Sequence, residues 1–150
     1  MKAVVQRVSE ASVTIDGKVY SSIGKGLLIL LGVHKEDTQS EVEWIARKIA
    51  NMRIFEDDQG QMNTDLAHVD GEILIVSQFT LIASTKKGNR PSFNDAAPPE
   101  LGRKLYEKTV EQLENLTGKK PKTGIFAADM KVALINDGPV TINLDTRNRE

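Results

Sequence analysis

Few residues in this chain have types and spacings that could do chemistry. Ser77 and Thr80 stand at the end of an apolar run, where an active hydroxyl often lies. A hydroxyl attacks a carbonyl only when a base takes its proton. Neither His34 nor His68 is near them in sequence, and no G-x-S-x-G nucleophile elbow occurs. The residues alone therefore favour hydroxyls that bond strand-end backbone over a nucleophile. Lys86-Lys87-Gly88-Asn89-Arg90 places three cations within five residues, a spacing suited to gripping phosphates. A solvated loop is its plain alternative, and Lys119-Lys120-Pro121-Lys122 is a second basic stretch. Asn136-Asp137-Gly138-Pro139 carries a hairpin signal followed by a proline that cannot donate to a strand ladder. A cis Gly138-Pro139 bond would cost about 0.5–1 kcal/mol and would turn both carbonyls to one side. A trans turn at a sheet edge fits the spacing equally.

Other chemistries are poorly supplied. Two histidines without cysteine, and without H-x-x-x-H or H-x-H spacing, do not make a zinc set. Gly24-Lys25-Gly26 matches neither the dinucleotide fingerprint nor a phosphate-binding P-loop, and reads as a turn. The absence of cysteine excludes disulfides, thiolate catalysis and Fe–S clusters, and fits a reducing cytosol. A formal net charge of −1 excludes a whole-surface basic field for duplex binding but leaves a local grip on one RNA end open. Aromatics at 5% argue against a base-stacking sheet.

These residues must be positioned by a single soluble domain over 1–150, since hydrophobic and charged fractions of 39% and 27% are those of a globular chain. The longest apolar run, Leu27 to Leu31, is far below the roughly 18 residues of a membrane span. The start is not a signal peptide, and a cytoplasmic protein with no membrane contact is expected. Residues 2–8 and 11–15 predict strands, with a tight turn at Asp16-Gly17. The run 27–31, apolar on both faces, predicts a central strand covered on both sides. Thr38-Gln39-Ser40-Glu41 is a capping box opening a helix whose stripe is Val42, Ile45, Ile49 and Met52. Trp44 falls off that stripe. Residues 53–55 and 73–76 predict strands, the second running into 77–81, and 84–99 predict a polar loop. Pro98-Pro99 predicts a helix start, with Leu101, Leu105, Tyr106, Val110, Leu113 and Leu116 apolar and Gly118 ending it. Residues 132–135 and 140–144 predict two strands joined by 136–139. The sum is an α+β fold, a mostly antiparallel, barrel-like sheet with two main helices packed on it.

Ser77-Gln78-Phe79-Thr80-Leu81, taken with Asn136-Asp137-Gly138-Pro139-Val140-Thr141, resembles the paired signature of the D-aminoacyl-tRNA deacylases. The likeness spans nearly the whole chain. It includes Gln6-Arg7-Val8, Gly26-Leu27-Leu28, Leu31-Gly32-Val33, Arg53-Ile54-Phe55, Met62-Asn63, Lys87 through Phe93, and Ala128-Asp129-Met130. The family often has Gly where this chain has Ala127, and Lys where it has Gln61, departures that bear on pocket shape. The resemblance implies a cytoplasmic homodimer that hydrolyses the ester between a D-amino acid and the 3′ end of tRNA. Glycine would be accepted as well, and no metal or organic cofactor is implied. It implies a pocket at the subunit interface. Ser77, Gln78, Phe79 and Thr80 would line it on one subunit, and Gly138-Pro139, joined by a cis bond, would enter from the other. Arg7 would hold that loop and Met130 would support the pocket. Taken with the chemistry of the residues, Lys86, Lys87 and Arg90 are expected to contact the tRNA, and Thr80 to act first as a positioning residue and only secondarily as a nucleophile. Two alternatives are a relative of opposite chirality that clears L-alanyl errors, and a non-enzymatic RNA-binding module using the basic loops.

Overall fold

The computed structural model describes residues 1–150. In chain order the strands are β1 (Lys2–Ile15), β2 (Lys18–Ile23), β3 (Gly26–Gly32), β4 (Phe55–Glu56), β5 (Met62–Thr64), β6 (Glu72–Ser77), β7 (Lys122–Thr123) and β8 (Lys131–Asp145). Helix α1 (Gln39–Asn51) lies between β3 and β4, and α2 (Pro99–Thr117) between β6 and β7. No helix is long and apolar enough to cross a membrane.

The expected α+β architecture with two main helices is present, but the sheet is mixed. β1 runs antiparallel to β2, β3 and β8, whereas β3–β6 and β6–β7 are parallel. The parallel pairs follow from α1 and α2, whose long crossovers return the chain in the same direction. Ser21 Oγ of β2 donates to Thr123 O of β7 at 2.7 Å, tying the two ends of the sheet toward a barrel.

Strand alternation sorts the core into two clusters. Leu27, Ile29 and Leu31 of β3, with Ile73 and Ile75 of β6, pack with Val42, Ile45 and Ile49 of α1 and Leu105 and Leu113 of α2. Leu28, Leu74 and Val76 turn the other way, toward Val8, Val13 and Ile23. β3 is thus covered on both faces, as its apolar run requires. At the head of α1 the Glu41 carboxylate accepts from the Thr38 N–H at 2.7 Å and from its hydroxyl at 2.8 Å. Trp44, off the α1 stripe, meets the chain's end: Arg149 Cζ lies 4.8 Å from its ring centroid. Arg147 beside it pairs with Glu36 at 2.8 Å. The Met1 ammonium is buried against Asp37 at 2.8 Å and donates to Thr146 Oγ1 at 2.6 Å.

Three expectations are corrected. The strands expected at 2–8 and 11–15 are one continuous strand. Leu116 is 46% exposed; Thr109, fully buried, fills the packed face instead, its hydroxyl donating to Leu105 O at 2.8 Å. The Asn136–Pro139 segment is not a hairpin turn, because β8 continues through it. Gln6 pairs with Thr141 and Val8 with Asn136, so Arg7 alone faces residues 137–140, which bulge out. The Asn136 side chain closes the bulge: its Oδ1 accepts from the Val140 N–H at 2.7 Å and its Nδ2 donates to Thr141 Oγ1 at 3.0 Å. A side-chain amide thus replaces ladder bonds that Pro139 cannot make.

Candidate active site

A concavity of about 580 Å³ lies where β6 ends. One wall is Val76 to Phe79; the others are Phe93 with Ala96, Ala97 and Pro99, and the segment Phe126 to Met130 with Val132. Ser77 closes β6, and the Gln78 N–H still donates to Leu31 O of β3 at 2.8 Å. The chain then turns into a single 3-10 turn at Phe79–Ile82 rather than extending as a strand to residue 81. That turn carries Phe79 outward, 56% exposed, where its ring meets Phe93 edge-on with centroids 5.3 Å apart. Thr80 is exposed beside the wall, and its hydroxyl accepts from Gln78 Nε2.

No base adjoins either hydroxyl. His34 Nδ1 accepts from the Glu36 N–H at 3.1 Å, and His68 Nδ1 lies 2.8 Å from Asp65 Oδ1. Beneath Ser77, the Tyr106 hydroxyl of α2 donates to Ile75 O at 2.9 Å. Burial pushes this phenol well above its ordinary pKa, so it serves as a neutral donor.

The basic loop is anchored to the pocket rim. Ser84 and Ser92 exchange backbone hydrogen bonds of 2.8 and 2.9 Å, closing the loop at its base one residue before Phe93. Lys86, Lys87 and Arg90 are exposed at its tip and take part in no ion pair.

On the third wall, Ala128 N–H donates to Ile125 O at 3.1 Å, closing a turn in which Ala127 has φ +66°. That is the left-handed conformation in which glycine is comfortable and alanine is strained. Met130 lies against Gly124, where any Cβ would collide with its sulfur.

Gly138 and Pro139 are not on the pocket wall of this chain. They form the tip of the β8 bulge, and their peptide bond is cis. Arg7, only 8% exposed, donates from Nε to Asp137 O at 2.7 Å and from Nη1 to Ile54 O at 2.8 Å. It therefore ties the bulge to the segment before β4. The structure brings Ser77, Gln78, Phe79 and Met130 together, sets Thr80 and the basic loop at the rim, and holds Gly138-Pro139 apart. Sequence reasoning gave no role to Phe93 or Phe126; the available signal was that the chain has only four phenylalanines. Three of them, Phe79, Phe93 and Phe126, line this pocket.

A family model described as D-Tyr-tRNA(Tyr) deacylase matches residues 4–145. A D-aminoacyl-tRNA deacylase of Flavobacterium psychrophilum is 57% identical over 150 residues, covering 100% of both chains. One of Geobacter sulfurreducens is 56% identical over 149 residues, 99% of this chain and 97% of that one. Among solved structures, the c-Myc DNA Unwinding Element Binding Protein superposes with a TM-score of 0.92 at 47% identity, covering 97% of this chain and 99% of that one. A probable eukaryotic D-amino acid tRNA deacylase shares the fold, with a TM-score of 0.80 at 16% identity, over 95% of this chain and 98% of that one.

Proposed function

The chain belongs to the D-Tyr-tRNA(Tyr) deacylase family and is a hydrolase of the aminoacyl-tRNA ester bond, and from that premise we propose that it removes D-amino acids and glycine from tRNA while sparing L-amino acids. One observation carries the mechanism: the pocket offers fixed polar groups and a cationic rim but no base bonded to Ser77 or Thr80. An aminoacyl ester is already activated. If the 2′-hydroxyl of the terminal ribose assists the attacking water, the protein need supply only orientation and donors for the developing oxyanion. The Gln78–Thr80 pair suits orientation. The unpaired cations of Lys86, Lys87 and Arg90 suit the phosphates of the 3′ strand. The reaction takes place where tRNA is used, in the cytoplasm.

The chiral part of the proposal rests on Gly138. We place the bulge of a second copy of the chain over the pocket, so that backbone carbonyls around Gly138 meet the substrate's amino group and collide with an L side chain. Glycine has no side chain to collide. Gly138 has φ +145°, and a Cβ there would lie 2.8 Å from Val140 Cγ2 and 3.1 Å from Arg7 Nη2. A methyl at this position therefore reshapes the bulge from within, and Gly138→Ala is expected to cost most D-aminoacyl-tRNA hydrolysis.

Deacylation of D-tyrosyl-, L-tyrosyl- and glycyl-tRNA tests the reading, together with sedimentation to count subunits. Rapid loss of the D and glycyl esters from a dimer, with the L ester intact, is expected. Comparable hydrolysis of the L ester would overturn the chirality, and a relative that clears L-alanyl errors would show itself in the same assay. The nucleic-acid-binding name of one structural relative motivates a second reading, binding without hydrolysis, which predicts that all three esters survive.

A further inference from the structure

Phe126 on the pocket wall is held from α2 by two residues one turn apart. The Tyr106 ring tilts against it with centroids 6.0 Å apart, and the Arg103 guanidinium lies over it with Cζ 5.0 Å from the ring centroid. Arg103 is exposed, and its guanidinium makes no ion pair and no hydrogen bond within the chain. The ring holds the cation in place, while its N–H donors, unpartnered within the chain, stay available to an anion. The cation is thereby held against Phe126, a residue of the pocket wall, and apart from the Lys86–Arg90 loop next to Phe93. The neighbouring Glu107 and Glu111 of α2 are not paired with it.

We propose that Arg103 is a binding residue for a backbone phosphate of the substrate's 3′ strand, gripping it from the Phe126 wall while the basic loop grips from the Phe93 side. This rests on the deacylase reading above. Two separate cationic holds would fix the direction in which a flexible single strand crosses the pocket, which one hold cannot do. Arginine suits the task because its planar fork can stack and donate at once, as lysine cannot.

The test compares Arg103→Gln and Arg103→Lys with the parent on D-tyrosyl-tRNA and on D-tyrosyl-adenosine, an ester without phosphate. Arg103→Gln is expected to raise KM for the tRNA roughly fivefold with little change in kcat, as one exposed charge-assisted contact is lost. The loss should be confined to the substrate that carries phosphate. Binding of uncharged tRNA should show a log–log salt slope smaller by about 0.7, the value for one single-strand phosphate. Arg103→Lys should restore the salt slope but not the full KM. An unchanged KM and slope would overturn the proposal. So would an equal loss on the adenosine ester, which would mean that Arg103 acts only by packing Phe126. The salt slope on uncharged tRNA reads Arg103 whether or not the ester is cleaved, so failure of the deacylase reading is distinguishable.

Discussion

Thr80 sits beside the pocket with its hydroxyl engaged by Gln78 and no titratable partner. A covalent nucleophile lost to Thr80→Ala would cost several orders of magnitude, because a whole pathway disappears. A positioning hydroxyl should cost roughly 1–3 kcal/mol in the barrier, the scale of one polar partner left unsatisfied. Single-turnover rates measure the difference, and an acyl-enzyme trapped on Thr80 would refute the positioning role. Ala127 offers a second measurement. Its φ of +66° costs a non-glycine residue about 1–2 kcal/mol, partly offset by the extra freedom glycine has when unfolded. Ala127→Gly should raise stability by up to about 1 kcal/mol in urea unfolding. Ala127 itself is plain in the sequence, but its strain is not, because it comes from a turn closed between Ile125 and Ala128. Ser77 to Thr80 were legible as a motif. Phe126 was not, since its role depends on Arg103 and Tyr106, more than a dozen residues away in sequence, reaching the same ring.

At the scale of elements, β3 and β6 depend on one close approach. A Cβ at Gly26 would land on the backbone carbonyl oxygen of Glu72, opposite it in the parallel pair. Neither backbone can yield without breaking the register that places Ser77 beside Leu31. Gly26→Ala should therefore destabilise by more than about 3 kcal/mol or abolish folding, read by circular dichroism and urea unfolding. Both helices were legible from capping signals and apolar spacing, because those cues are local and cooperative. The bulge in β8 was not. Asn-Asp-Gly-Pro reverses a chain or bulges a strand with equal local comfort, and only pairing with both halves of β1 decides. The parallel pairs were missed for a related reason: strand direction is set by where α1 and α2 return the chain, not by the alternation of residues within a strand.

For the whole molecule, a net charge of only −1 makes the distribution of cations decisive. Replacing Lys86, Lys87 and Arg90 together by Ala should raise KM for charged tRNA and leave the chemical step intact. Each contact removed should reduce the salt slope by about 0.7–0.9. An unchanged salt dependence would remove the loop from the RNA surface. Tyr106 links the helices to the sheet through Ile75 O. Its folded-state pKa is raised by burial, so the folded chain holds this proton more firmly than the unfolded chain, where phenols titrate near about 10. The stabilisation is complete below that pH and is lost as pH rises above it. Tyr106→Phe should cost about 1 kcal/mol at neutral pH. It should also flatten the alkaline fall in stability above pH about 10 relative to the parent.

The chain's one tryptophan stands under Arg149 and beside Lys48, half-buried at the edge of the core beneath α1. Its emission therefore has a single origin, and that origin is the place where the carboxyl-terminal residues lie down on the first helix. Peeling Arg149 away would expose the indole face it covers while the β3–β6 core stays folded, so the spectrum should shift red before the far-ultraviolet dichroism changes. The fold thus carries an intrinsic optical gauge of tail detachment, distinct from global unfolding. It can be read without label at each step of a denaturant titration.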